Sequence, residues 1–183
     1  VCRKEESMSE QNFGQELLHT PGGVRDIYGA ECASRLKIQQ ELHQVMISYG
    51  FRDIQTPTFE YFDIFSKEKG SVQSQAMFKF FDRYGNTLVL RPDMTPAIAR
   101  TAAKYFEDDN RPLKLCYVGN TFVNVSKYYQ GKLKESTAVG AELIGDDSID
   151  ADLEIISMVI DCMKNAGLEE FQAAGEFGLE RTV

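Results

Sequence analysis

A short antiparallel hairpin that runs directly into a helix constrains the fold of this chain more than any other stretch. Residues 77–82 and 87–90 are rich in aromatic and aliphatic side chains, and the Arg-Tyr-Gly-Asn between them is typical of a turn. Thr95 then predicts a helix N-cap and Pro96 the first helical position, with the helix ending near residue 106. This order of elements predicts an α+β protein whose sheet is antiparallel and flanked by helices.

Further helices and strands are indicated on both sides of this hairpin. Residues 29–49 predict a helix that ends at Gly50, because apolar residues recur on one side of it: Leu36, Leu42, Val45, Met46 and Tyr49. Strands are predicted over three ranges: 51–56, 113–118 with a continuation at 121–125, and 139–144. A last helix is predicted over 150–165 from a second apolar stripe: Ile149, Leu153, Ile156, Ile160 and Met163.

The pattern divides the chain into an arm, a core and a tail. Residues 1–18 have no periodicity and predict a flexible N-terminal arm, in which Met8 is a possible natural start. Residues 19–172 predict one core domain, consistent with the chain length. Residues 173–183 have neither helix nor strand pattern, so we expect an irregular or foreign tail and a core that is cut short.

Composition narrows the class of protein. The chain has 183 residues, of which 43% are hydrophobic and 26% charged, as in ordinary globular proteins. No apolar run approaches the ~20 residues of a membrane-spanning helix, and the polar N-terminus lacks a signal sequence, so we expect no membrane association and a cytoplasmic location. A net charge of −8 disfavours broad nucleic-acid binding.

The cysteines and histidines do not form a recognisable catalytic or metal-binding motif. The four cysteines are scattered and none is spaced like a pair of metal ligands. His19 and His43 are the only histidines, and no Ser-His-Asp arrangement can be drawn with either. Phosphate-binding glycine motifs are also missing. The sequence therefore predicts no metal site and no cofactor.

Two segments carry candidate binding residues. Asp93 and Thr95 lie where a strand gives way to a helix, so they could bind an ammonium group or only cap the helix. Glu142 lies in an otherwise apolar strand, on the face opposite Ala141. It must contact either water or a cationic or donor group. Gly140 would leave room for a ligand beside it, or mark a bulge.

The ordered segments of residues 20–172 resemble histidyl-tRNA synthetase, a class II aminoacyl-tRNA synthetase. They resemble more closely its non-catalytic paralogue family, the regulatory subunits of ATP phosphoribosyltransferase. The resemblance is carried by TPGGVRDIYG at 20–29, YGFRDIQTPTFEYFDIF at 49–65, LVLRPDMTPAIAR at 88–100, CYVGNTF at 116–122, QGKLKESTAVGAELIG at 130–145 and DADLE at 150–154.

The resemblance implies a class II synthetase-like core and a ligand. Asp93 and Thr95 would meet the amino group of histidine, and Glu142 its imidazole, with Gln130 and Lys132 as accessory contacts. It also implies a short-form ATP phosphoribosyltransferase catalytic subunit as partner and histidine as effector. The helix at 29–49 would form a homodimer.

The sequence departs from the pattern of these relatives at two positions that bear on function. Val123 stands where the synthetases have the arginine that stabilises the adenylation transition state, so adenylation and tRNA charging are not expected. Ala138 replaces a glutamine that contacts the amino acid in both relatives. We therefore expect a non-catalytic regulatory subunit in histidine biosynthesis. A catalytic histidyl-tRNA synthetase fragment and a bare dimerisation module remain the alternatives.

Overall fold

The computed structural model describes residues 18–66, 72–108, 111–124 and 133–171. These residues form an α+β fold. The helices are α1 Gly29–Ser48, α2 Phe62–Ser66, α3 Thr95–Tyr105 and α4 Ile149–Asn165, with a 3₁₀ turn at Ser74–Ala76. The strands are β1 Arg52–Asp53, β2 Phe59–Tyr61, β3 Lys79–Phe81, β4 Thr87–Leu90, β5 Leu113–Phe122 and β6 Glu135–Ile144.

The chain packs as two compact units. Of the described residues, the first unit contains 18–33, 57–66, 72–97, 120–124 and 133–138, and the second contains 34–56, 98–108, 111–119 and 139–171. None of the helices in the described ranges is long and apolar enough to cross a bilayer.

The first unit is built around the predicted hairpin. Strands β2, β4 and β3 form an antiparallel sheet in that order. The turn between β3 and β4 forms because Asp82 Oδ1 accepts hydrogen bonds from the backbone N–H groups of Tyr84 and Asn86, at 2.8 and 2.9 Å. The side-chain amide of Asn86 donates to Asp82 Oδ2 at 2.8 Å, and this bond, followed by the backbone bonds, lowers the pKa of Asp82. Phe65, Met77 and Val89 form the buried cluster beneath the sheet.

The second unit contains a larger apolar cluster. Its buried members come from α1, the following turn, β5 and α4: Val45, Met46, Phe51, Cys116, Met158 and Cys162. Helix α1 ends as predicted at Gly50, whose φ of 84° is a left-handed value that glycine adopts without strain.

Strand β1 lies beside β5, which lies beside β6. The β5–β6 pair is antiparallel, since Thr121 contacts Ser136 while Asn120 contacts Thr137. Strand β1 pairs with β5 in parallel, so this sheet is mixed rather than wholly antiparallel. A parallel neighbour needs a long crossover connection, and here the chain between β1 and β5 includes the whole hairpin and α3.

Several predicted bounds change in the structure. The strand expected over 51–56 contains only Arg52–Asp53, whereas β5 runs continuously to Phe122 and β6 begins at Glu135. Leu36, expected on the packed side of α1, is 59% exposed. The helix at 29–49 and the hairpin are otherwise confirmed.

Helix α4 is confirmed, but its predicted apolar stripe is not the side that packs inward. Ala151, Met158 and Cys162 are buried, whereas Ile149 and Leu153 are 77% and 55% exposed. The helix carries apolar residues on two sides, so their spacing identifies the helix without showing which side is covered. Ser148 caps it by accepting a hydrogen bond from the backbone N–H of Ala151.

Candidate functional site

Arg91, at the end of β4, is buried and held by backbone carbonyls. Its Nε donates to the carbonyl oxygen of Asn120 at 2.7 Å, and its Nη1 donates to that of Pro57 at 3.2 Å. Its own carbonyl oxygen accepts from the backbone N–H of Phe122. Burial lowers the pKa of the guanidinium. A buried cation with these partners fixes the end of β4 against two other segments.

Asp93 caps helix α3. Its Oδ1 accepts a hydrogen bond from the backbone N–H of Met94 at 2.6 Å and a longer one from that of Thr95 at 3.5 Å. The helix begins at Thr95, so this exposed residue is the first helical residue rather than the residue before the helix, and Asp93 accepts from its backbone N–H. The capping interpretation of Asp93 is therefore realised, and a ligand would have to share this carboxylate with the backbone.

Glu142 lies in β6 and is half-buried. Its neighbours Ala141 and Leu143 pack against the apolar cluster of the second unit, so alternation places Glu142 on the other face, as predicted. The space at Gly140 is not open. A Cβ built there would lie 2.5 Å from Oη of Tyr117, so the missing side chain accommodates the Tyr117 ring.

Val123 presents no charge at the position where the synthetases have arginine. Its backbone N–H donates to the carbonyl oxygen of Lys134 at 2.8 Å. Lys134, the residue paired with Val123, carries a positively charged side chain. That side chain contacts Gly23, where a Cβ would lie 2.7 Å from its Cγ, and its Nζ lies 5.8 Å from the ring centre of Phe78. Lys134 is thus directed toward these groups.

The predicted site residues are distributed over the two units. Asp93 and Thr95 are neighbours in the first unit, and Glu142 belongs to the second. Ala138 is half-buried in β6 and has no polar side-chain atom. Gln130 and Lys132 lie outside the described residues. The assignment of all five to a histidine pocket stays a prediction.

The structure contains one polar cluster that the sequence patterns do not predict. His43 of α1, Asp53 of β1 and Cys116 of β5 bring their side chains together in the second unit. The residues are separated by 10 and 63 positions, so no short motif marks them. The one sequence signal is the short connection between α1 and β1, which lets β1 run back along the helix past His43.

The fold and the sequence define the class of this protein. The family model described as Histidyl-tRNA synthetase matches residues 23–182. The chain therefore belongs to the histidyl-tRNA synthetase family. The solved structures agree. An apo histidyl-tRNA synthetase of S. aureus matches with a TM-score of 0.68 and 29% identity, covering 82% of this chain and 35% of that one.

Within this family the chain is similar to regulatory subunits. It is 42% identical to an ATP phosphoribosyltransferase regulatory subunit of Acetivibrio thermocellus and 41% identical to one of Ruminiclostridium cellulolyticum. Each match covers 85% of this chain and 37% of the relative, so the chain spans less than half the length of these relatives. A structure titled ATP phosphoribosyltransferase regulatory subunit/histidyl-tRNA synthetase, from Bacillus halodurans C, matches with a TM-score of 0.75 and 38% identity, covering 83% of this chain and 39% of that one.

Proposed function

We propose that this chain acts in histidine biosynthesis as a non-catalytic regulatory subunit of ATP phosphoribosyltransferase, senses histidine, and activates a short-form catalytic subunit. The observation that carries the proposal is Val123, within a chain that is 42% identical to a protein named as such a subunit. The chain keeps the fold of the family, but at position 123 an aliphatic side chain stands where the synthetases have their catalytic arginine.

The side chain at position 123 cannot supply the charge that adenylation needs. Adenylation develops negative charge on the carboxylate and phosphate in the transition state, and enzymes stabilise it with preorganised donors or cations. The Val123 side chain offers neither. Lys134, its hydrogen-bonded neighbour across the strand pair, directs its side chain toward Gly23 and Phe78. These contacts support a role without adenylate formation, and we expect no tRNA charging.

Histidine sensing would use two carboxylates and a hydroxyl, which can accept hydrogen bonds from the nitrogen groups of the ligand. Asp93 and Thr95 would meet the amino group and Glu142 the imidazole, as in the family that this chain resembles. Ala138 removes an amide partner from that set, and an unpaired polar group costs about 1–3 kcal/mol. We therefore expect histidine to bind more weakly than it would with glutamine at this position.

The test measures histidine binding and ATP–pyrophosphate exchange on the same preparation. Calorimetry with histidine should show binding that Glu142→Gln weakens and Ala138→Gln strengthens, while exchange stays at background. Glu135→Gln is a matched control, because Glu135 lies in the same strand at an odd spacing and contacts Asn120. Exchange above background would overturn the non-catalytic assignment. A histidine affinity that is the same in Glu142→Gln and in the wild type would overturn the proposed pocket.

A catalytic histidyl-tRNA synthetase is the second candidate function. The similarity to the S. aureus synthetase structure favours it. Histidine-dependent exchange by the chain would support this candidate and exclude the first.

We further propose that the protein is a cytoplasmic homodimer formed through the region of α1. This helix exposes several large apolar side chains: Leu36, Ile38 and Ile47 at 59%, 42% and 38%. Leu36 and Ile47 lie about three turns apart on one side of the helix, and a contiguous exposed apolar patch is typical of an interface. Sedimentation at micromolar concentration should show a dimer that Leu36→Asp converts to monomer, and a wild-type monomer would contradict this part of the proposal.

A further inference from the structure

Three different metal-binding groups meet in the second unit. His43 Nε2 lies 2.6 Å from Asp53 Oδ1, and Cys116 Sγ lies 3.9 Å from the same oxygen. The ligand atoms of all three residues fall within 4.8 Å of one another. We call His43, Asp53 and Cys116 the three-donor cluster.

The fold explains why these side chains converge. The parallel register of β1 and β5 makes Asp53 the direct partner of Cys116, so their side chains leave the sheet side by side. The backbone N–H of Ile54 also donates to the carbonyl oxygen of Cys116 at 3.0 Å, which holds this register. The turn at Gly50 sends β1 back along α1, so that His43 reaches Asp53.

The distances are close to those of a tetrahedral zinc site. With Zn–N and Zn–O near ~2.1 Å and Zn–S near ~2.3 Å, nitrogen and oxygen ligands of a tetrahedral ion lie ~3.4 Å apart and sulfur lies ~3.6 Å from oxygen. The observed distance of 3.9 Å between Cys116 Sγ and Asp53 Oδ1 is only slightly longer than that separation of ~3.6 Å. The 2.6 Å between His43 Nε2 and Asp53 Oδ1 must widen by less than ~1 Å.

The cluster can be reached from solvent. The Asp53 side chain is 67% exposed and that of His43 is 25% exposed, whereas Cys116 is fully buried. His43 and Asp53 also line a shallow cavity of about 310 Å³, together with Gln39, Gln40 and Gln55. This cavity provides an entry path and room for a water or an amide oxygen as the fourth ligand.

We propose that His43, Asp53 and Cys116 bind a divalent transition-metal ion with the preferences of Zn²⁺. Imidazole together with a thiolate selects zinc-like ions, whereas Mg²⁺ and Ca²⁺ require mainly oxygen ligands. The absence of paired cysteine spacing predicted no metal site, and the three residues come together only through the tertiary fold. The proposal is independent of the regulatory function proposed above.

Metal binding must release one proton from the cluster. Burial, followed by the nearby Asp53 carboxylate, raises the pKa of the Cys116 thiol to about 11, so the thiol is protonated at neutral pH. Zinc binding forms the Zn–S bond, breaks the S–H bond and passes the proton to solvent. Apparent affinity should therefore increase with pH.

The test titrates the full chain with Zn²⁺ by calorimetry and with Co²⁺ by absorption. We expect one ion per chain and a sulfur-to-cobalt charge-transfer band. Cys116→Ser should abolish the band, and Asp53→Asn and His43→Gln should each weaken zinc binding at least ~100-fold, the upper end of the ~10–100-fold cost of losing a ligand's hydrogen-bond partner. Asp53 and His43 are partly exposed, so these variants are expected to fold even if Cys116→Ser does not.

Matched controls use cysteines outside the cluster. Cys162→Ser changes another buried cysteine, and Cys2→Ser and Cys32→Ser change the remaining two. All three should bind zinc like the wild type. Substoichiometric zinc, a charge-transfer band that survives Cys116→Ser, or binding unchanged in both Asp53→Asn and His43→Gln would overturn the proposal and leave a surface His–Asp hydrogen bond.

Discussion

The strand-end segment Arg91–Thr95 and the three-donor cluster both concentrate polar side chains, but they use them differently. In the strand-end segment the polar groups serve the backbone: Arg91 binds carbonyl oxygens and Asp93 binds amides. In the cluster, side chains from three separate elements contact one another. Groups engaged by the backbone mainly stabilise the fold, whereas groups that meet through their side chains can rearrange around a ligand. Mutations that separate these two roles test the distinction.

The largest effect is expected at Arg91. Arg91→Met removes a buried cation and leaves carbonyl oxygens of Pro57 and Asn120 without a donor. Charge-assisted hydrogen bonds contribute ~1.5–3 kcal/mol each, so we expect a loss of about 3 kcal/mol in the free energy of unfolding. Urea denaturation measures it. Arg83→Met, at an exposed position in the hairpin turn, should change it by less than ~0.5 kcal/mol. Equal losses would show that Arg91 has no special role.

The cluster should give a pH-dependent stability in metal-free protein. Folding raises the pKa of Cys116 from 9.0 to about 11, so the folded state retains a proton that the unfolded state loses. The resulting stability is complete below pH 9 and is lost as the pH rises to about 11. The shift corresponds to roughly 3 kcal/mol.

Denaturation with a chelator present, repeated across this pH range, measures the slope. Cys116→Ala should reduce the slope, leaving the part that comes from Cys162, whose pKa burial also raises, and Cys32→Ala should leave it unchanged. An identical slope in wild type and Cys116→Ala would show that this thiol does not control the alkaline stability.

The smallest effect concerns the start of helix α3. Asp93→Ala removes the acceptor of the Met94 N–H and should lower the free energy of unfolding by about 1 kcal/mol. Lys104→Ala, at an exposed position near the other end of the same helix, should cost less than ~0.5 kcal/mol. Equal losses would show that the Asp93 carboxylate does not stabilise the start of the helix.

Local signals account for what the sequence predicted well. The turn residues around Gly85 located the hairpin, and Gly50 located the end of α1. The identity of the packed side of α4 and the parallel β1–β5 pairing depend on contacts distant in sequence, so neither could be derived from spacing. For the same reason the sequence predicts a role for Asp93, which lies at a local strand–helix junction, but not the contacts of Asp53 with His43 and Cys116.

Sequence also could not show how candidate residues are used. The residue type at Asp93 allowed either a cap or a ligand contact, and only the hydrogen bond to Met94 shows that the cap exists. Gly140 was open to two interpretations until the ring of Tyr117 was found to cover it. Val123 alone could be interpreted directly, because no conformation gives an aliphatic side chain a charge.

The central claim is regulation without catalysis, and the activity of a short-form ATP phosphoribosyltransferase catalytic subunit tests it most directly. The assay compares that subunit alone, with this chain, and with this chain plus histidine. We predict that the chain raises the activity and that histidine lowers it again, with no ATP–pyrophosphate exchange by the chain itself. An unchanged activity together with histidine-dependent exchange would contradict the account.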